Sequence, residues 1–322
     1  MDNILYIMLF SAGLLAIIKG ADWLTDGAAA IAKRFGIPSI VVGLTIVAIG
    51  SSAPEFVVST VSALQGNVDI ALGNVVGSNI FNILGIMGIT ALVRPIVVNK
   101  ANVKYDLPFA VLASIAIAAP TLLPNSCGER GISRADGILM LCIFAIFISY
   151  TLAIATNQKT SDNNAMQKKN VVLWKAVAGV IIGLTSLILG GEWLVNGASG
   201  IALSMGISQS IVALTIVSIG TSAPELAASV MAAKKGDTAM ALGNIVGSVV
   251  FNVFFVLGTA ATIQPLGVGG ITQTDIIVLL TSSCLLWFFC AFGKRNYTLT
   301  RSEGCIFTLL MIAYYVYLVL NE

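Results

Sequence analysis

Two glutamates sit where a charged side chain is hardest to accommodate. Glu55 ends the run Gly50-Ser51-Ser52-Ala53-Pro54-Glu55, and Glu225 ends Gly220-Thr221-Ser222-Ala223-Pro224-Glu225. Apolar residues flank each glutamate on both sides, and no Lys or Arg lies at comparable depth to pair with it. An ionised carboxylate inside hydrocarbon costs a few kcal/mol and marks a functional position by default. The neighbouring proline adds to the chemistry. It donates no N–H and clashes with the carbonyl four residues earlier, here Gly50 or Gly220. Carbonyls one turn before each glutamate then lose their helical partners and need a polar cavity or a cation.

Further oxygens follow downstream. Asn74, Ser78 and Asn82 are spaced i, i+4, i+8 and form one polar stripe on a helix. Asn244, Ser248 and Asn252 repeat the stripe. Their competing role is helix–helix hydrogen bonding, and close packing for Gly73, Gly77, Gly243 and Gly247. For the shallower Asn74 and Asn244 the two roles are evenly balanced. Two carboxylates, two amides, several hydroxyls and freed carbonyls, with no sulfur and no imidazole, suit a hard cation. Ca2+ with about six to eight oxygen ligands fits best, and Na+ asks for the same donors. Two carboxylates held close repel when the site is empty. An empty site should therefore take up a proton or another cation, which would keep an exchanger from crossing unloaded.

These residues must be carried by membrane spans. Apolar stretches of about 20 residues, the length that crosses a bilayer core, recur along the chain. Ten are expected: 4–30, 38–65, 70–93, 104–123, 136–156, 171–196, 207–233, 239–263, 274–292 and 303–320. The start Met1-Asp2-Asn3 lacks a cationic region and no A-x-A-like cleavage site follows, so the first span is expected to be retained. Placing the N-terminus outside puts 14 of the 17 Lys and Arg residues in cytoplasmic loops. Only Arg130 and Arg134 then fall outside, and Lys19 lies within the first span. Both termini are expected outside. The polar segment 157–170 is a cytoplasmic linker, too short for a folded domain.

The chain also repeats itself. Gly36–Asn82 aligns without gaps to Gly206–Asn252 at an offset of 170, with 25 of 47 positions identical. The match extends to Trp23 and Trp193, Gly27 and Gly197, Pro95 and Pro265, with Asp22 opposite Glu192. The expected organisation is a first five-helix repeat over 1–156, the linker, and a second over 171–322. Five is odd, so the second copy must be inverted. The fold class is thus an all-α membrane protein of ten transmembrane helices, in two inverted-topology repeats, with helices 2, 3, 7 and 8 interrupted. Such repeats place transport sites at the midplane.

Composition excludes other classes. The 322 residues are 57% hydrophobic and 10% charged, with a net charge of +2 and no His. A soluble domain carries about 25% charge, and so small a net charge suggests no nucleic-acid partner. Without His the commonest general base is missing. Neither a Ser-Lys nor a Cys-based nucleophile is apparent, so an enzyme is not expected. Cys127, Cys142, Cys284, Cys290 and Cys305 show no CxxC spacing and are expected as free buried thiols. Asp69 and Asp237 flank the ends of spans 2 and 7 as solvated caps, and Asp106, Asp136 and Asp275 lie near span starts, where a carboxylate favours a helix N-terminus. Asp22 and Glu192 are expected at the interfacial ends of tilted helices.

At the paired motifs G-[ST]-S-x-P-E and G-N-x-x-G-S-x-x-x-N the sequence resembles the sodium/calcium exchanger family of the calcium:cation antiporters, over nearly the whole chain. The resemblance implies a core of spans 2–5 and 7–10, over which spans 1 and 6 slide during alternating access. It implies that Glu55 and Glu225 bind Ca2+ and Na+, and that Asn82 and Asn252 complete a central diamond. Hydroxyls of Ser51, Ser52, Ser78, Thr221, Ser222 and Ser248, and carbonyls of Ala48 and Ser218, would serve outer sites. Ser51 stands where the family commonly has Thr. Asn252 stands where some relatives carry Asp, leaving two carboxylates, enough for one Ca2+ or two monovalent ions. The implied function is Ca2+/Na+ antiport, most simply Ca2+ extrusion, with no permanently bound cofactor. Ca2+/H+ or K+-dependent exchange is the alternative, and a cation channel is a weaker rival, since channel rings usually come from symmetric subunits. The partners are the bilayer and the ions, and a monomer suffices. Lack of organelle signals and of a large cytoplasmic loop points to a prokaryotic inner membrane.

Overall fold

A computed structural model describes residues 2–123, 130–159, 172–205, 218–293, 295 and 297–320. Helix α1 spans Asp2–Phe35. Helices α2 (Ser39–Ser51) and α3 (Ala53–Leu64) form one span bent by 49°. Next come α4 (Ile70–Val93), α5 (Asn102–Leu122), α6 (Arg134–Lys159) and α7 (Leu173–Ser204). The short α8 (Ser218–Thr221) leads into α9 (Ala223–Lys234). Helices α10 (Thr238–Ile263), α11 (Gln273–Phe292) and α12 (Arg301–Leu320) complete the chain. Among the described residues eight helices are long and apolar enough to cross a bilayer, and α2 with α3 makes nine. The expected span over 207–233 lies partly outside the described residues, which include only α8 and α9 of it. Most of the linker 157–170 also lies outside them.

The breaks in α2–α3 and α8–α9 are alike. Ser52 has φ −84 and ψ 12, and Ser222 has φ −91 and ψ 9, each just before a helix with Pro in its first turn. Spans 3 and 8 differ from expectation. Neither breaks; each passes through π turns, at Phe81–Ile86 and Phe251–Leu257, that begin one residue before Asn82 and Asn252. Between Val68 and Val93, and between Thr238 and Ile263, there is no proline to remove an N–H, so the helix widens instead of stopping. Gly66 and Gly236, at φ 77 and 90, close α3 and α9 with the same left-handed turn.

Helices α4 and α10 are central, with 83% and 94% of their most apolar windows buried, against 22% for α1 and 17% for α12. Their side chains dominate the main core, with Leu72, Val76, Ile83, Met87, Leu242, Val249, Phe254 and Leu257. A second core forms where α1 covers α2 and α9, through Ala21, Leu24, Ala28, Val47, Ala228 and Ala232. Helices α1 and α7 lie antiparallel and touch backbone to backbone along a glycine seam. A Cβ on Gly20 would come within 2.9 Å of the Gly183 carbonyl, and one on Gly190 within 2.9 Å of Ala16 Cβ. Gly13, Gly20 and Gly27 recur every seven residues, as do Gly183, Gly190 and Gly197.

Among the described residues, four short strands tie the loops. β1 (Ile96–Val97) pairs antiparallel with β4 (Thr298–Leu299), and β2 (Gly131–Ile132) with β3 (Leu266–Gly267). β1 and β3 are equivalent at the 170-residue offset, yet they belong to different pairs, and α5 separates β1 from β2. Asp237 and Asp275 cap α10 and α11 as expected, and Asp136 accepts from Ser133 N at 2.8 Å at the start of α6. Asp106 is no cap; it is buried within α5, bonded by Asn102 Nδ2 at 2.6 Å and Tyr150 Oη at 3.1 Å. The thiols also depart from expectation. Cys142, Cys284 and Cys305 are exposed and only Cys290 is buried among those described; Cys127 lies outside the described residues. The outer surface of a membrane protein is itself apolar, so an apolar run does not imply burial.

Candidate functional site

Each helix break presents its serine to the glutamate of the other repeat. Ser52 Oγ donates to Glu225 Oε1 at 2.6 Å, and Ser222 Oγ donates to Glu55 Oε1 at 3.1 Å. Both glutamates are fully buried, and the two carboxylates lie within electrostatic reach of each other. Among the described residues neither pairs with Lys or Arg. Ser78 lies beside the Glu55 carboxylate and Ser51 beside that of Glu225. Both acids thus lie buried in the core, each facing a serine of the other repeat.

The remaining oxygens divide into braces and open atoms. Asn74 Nδ2 donates to the Glu55 carbonyl at 3.3 Å and to Ser59 Oγ at 2.9 Å. Asn244 Nδ2 does the same for the Glu225 carbonyl at 3.2 Å and Ser229 Oγ at 2.8 Å. These two asparagines hold the glutamate backbones in place. Ser51 Oγ lies 3.3 Å from Asn244 Oδ1 and 3.4 Å from the Ala48 carbonyl. That carbonyl also accepts the Ser52 N–H at 3.0 Å. Glu55 Oε2, Glu225 Oε2, Asn82 Oδ1, Asn252 Oδ1 and Ser248 Oγ are buried with no hydrogen-bond partner among the described residues. Five unsatisfied buried acceptors on mutually packed elements are costly unless a cation takes them. Thr221 is half-buried, and Ser218 opens α8.

A cavity of about 440 Å3 reaches the breaks from the α7 side, lined by Pro54, Val58, Gly191, Glu192, Thr221 and Pro224 among others. Glu192 therefore borders this cavity, within α7, instead of marking a helix end. Its repeat mate Asp22 is ion-paired instead: Lys235 Nζ lies 2.6 Å from Asp22 Oδ1 and 2.8 Å from Asp26 Oδ1. Residue-by-residue inspection missed Ser59 and Ser229, although identity at both repeats was a usable signal. It also missed Asn79, which bonds Asn252, and the heptad spacing of the α1 and α7 glycines. Ser114 and Ser283, bonded at 2.6 Å where α5 crosses α11, carried no such signal.

A helical membrane protein whose core holds an oxygen-lined acidic site, with no basic partner among the described residues, has the site of a cation carrier. The chain belongs to the sodium/calcium exchanger family, which it matches over residues 5–153 and again over 175–320. This is a family of transporters, not of enzymes. It is 36% identical to CaxA of Alkalimonas amylolytica, a candidate antiporter, over 94% of this chain and 95% of that protein. It is 31% identical to the inner membrane protein YrbG of Escherichia coli, over 93% and 92% of the two chains. Its fold is similar to that of the sodium-calcium exchanger NCX_Mj, with a TM-score of 0.83 and 31% identity over 97% of this chain and 98% of that chain.

Proposed function

We propose that this protein exchanges Ca2+ for Na+ by alternating access around one midplane site, in the direction of Ca2+ extrusion. The observation that carries this is the reciprocal pair Ser52–Glu225 and Ser222–Glu55, which leaves one oxygen of each buried carboxylate open. Glu55, Glu225, Asn82 and Asn252 would form the central ligands. Ser51, Ser52, Ser78, Thr221, Ser222 and Ser248 would supply hydroxyls, with the carbonyls of Ala48 and Ser218. Two carboxylates balance one Ca2+ or two monovalent ions, so loaded states of either kind cross without a net buried charge.

The organisation we propose is two inverted five-span halves, 1–156 and 171–322, joined by 157–170. Support comes from the antiparallel seam between the equivalent helices α1 and α7 and from the swapped strand pairs. The basic loops favour both termini outside a prokaryotic cell membrane, the chain acting as a monomer. In that orientation the Glu192 cavity opens outwards, and the Lys235 ion pairs close the inner side. The seam would let α1 and α7 move as one body over the core.

Purified protein in vesicles with Na+, K+ and pH gradients imposed one at a time tests this. Ca2+ uptake that requires an opposing Na+ gradient is expected. Uptake driven by a pH gradient alone would replace Na+ with H+, an obligatory K+ gradient would make exchange K+-dependent, and single-channel currents would remove the exchanger.

A further inference from the structure

The two repeats agree at every proposed central ligand but differ directly after Ser78 and Ser248. The first repeat has Asn79 there and the second has Val249. Asn79 is fully buried, and Asn252 Nδ2 donates to its Oδ1 at 3.3 Å. Asn252 Oδ1 is left without a partner. Asn82, whose counterpart neighbour is Val249, has no partner for either Oδ1 or Nδ2.

An amide can show a cation site either an oxygen or an N–H2 group, and only the oxygen binds. Committing the Asn252 N–H2 to Asn79 settles which one faces the open carboxylate oxygens. We propose that Asn79 is a positioning residue of the ion site, holding the Asn252 amide with its oxygen presented to Ca2+. The site is therefore asymmetric: Asn252 is preset, while no partner among the described residues fixes the Asn82 amide. Asn79 touches the ion through Asn252, as outer-shell partners do at metal sites generally.

This inference rests on the proposed Ca2+ site, and the test separates the two. Ca2+ half-saturation and maximal rate are measured in vesicles for wild type, Asn79→Val, Asn252→Asp and the double variant. Loss of an orienting partner typically weakens metal binding about tenfold or more. Asn79→Val is expected to raise half-saturation about tenfold with maximal rate kept within about twofold. A carboxylate has an acceptor on either side and needs no orientation. In the Asn252→Asp background, Asn79→Val is therefore expected to leave half-saturation unchanged. An unchanged half-saturation in the single variant, an equal penalty in both backgrounds, or failure of both Asn79→Val proteins to fold would overturn the proposal and leave Asn79 a packing residue. Wild type that neither transports nor binds Ca2+ would instead defeat the functional assignment beneath it.

Discussion

Lys235→Gln makes the second repeat match the first, which has Gln65 at that place. In the structure Lys235 bridges α9 to α1, at 2.6 Å from Asp22 and 2.8 Å from Asp26, and donates to the Asp22 carbonyl at 2.9 Å. The repeat mates of Asp22 and Asp26 are Glu192 and Asn196, which line the cavity around α7. When the roles of the halves exchange, those residues meet a glutamine and form no ion pair. In the proposed alternating access, Lys235 would thus weight the equilibrium towards the state with the inner side closed. The side chains are 28%, 39% and 69% exposed, so solvent screens both pairs. Together they contribute about 1 kcal/mol, or about fivefold in the ratio of the two states. Ala228 is the mate of Val58, is 1% exposed, and lies beneath α1. In a background without the native cysteines, Ala228→Cys should label from the inner side about fivefold faster once Lys235→Gln is present. Gln65→Lys should also speed it, by giving Glu192 a partner in the opposite state. Molar salt, with a Debye length of about 3 Å, should shrink both effects. Labelling that does not change, or that slows with Lys235→Gln, refutes the reasoning.

Other expectations follow from the site and the seam. Glu55→Gln or Glu225→Gln removes half of the site's charge, and Ca2+ flux should fall at least about a hundredfold with folding intact, since a buried charged contact carries about 3 kcal/mol or more. Full flux in the double variant would remove both acids from the mechanism. Ser52→Ala deletes the 2.6 Å bond to Glu225 and Ser222→Ala the 3.1 Å bond to Glu55. Each should weaken Ca2+ half-saturation by about tenfold to a hundredfold, from the roughly 1.5–3 kcal/mol of a hydrogen bond to a charged group, and Ser52→Ala should cost more because its bond is shorter. Gly190→Val forces a side chain against Ala16 and the Gly13 carbonyl, at 2.9 and 3.0 Å for the Cβ alone. A loss of about 1–3 kcal/mol, read as a lowered melting temperature in detergent, is expected. An unchanged melting temperature would show that the seam yields.

Much of the site was legible because each signal was local. Glu55 and Glu225 stand out in apolar runs, and Pro54 and Pro224 disrupt their helices through their own chemistry. The breaks at Ser52 and Ser222 follow directly. Spans 3 and 8 misled because amides in a helix resemble a break in sequence, whereas a π turn keeps the hydrogen-bonded ladder. Asn74 and Asn244 could not be separated from ligands by spacing alone. Their N–H2 groups brace the Glu55 and Glu225 carbonyls, a contact between helices that no single segment records.

The cost of a charge in hydrocarbon, the length of a bilayer-crossing helix and the geometry of proline act on one segment at a time. Those effects place the apolar spans, the helix breaks and the two acids in the sequence itself. Which atoms are left open is decided between segments. The α1–α7 seam, the Lys235 bridge and the Asn79–Asn252 bond exist because helices distant in the chain approach within hydrogen-bond distance. Such a bond fixes which end of an amide faces the ion, and only the assembled tertiary structure determines that orientation.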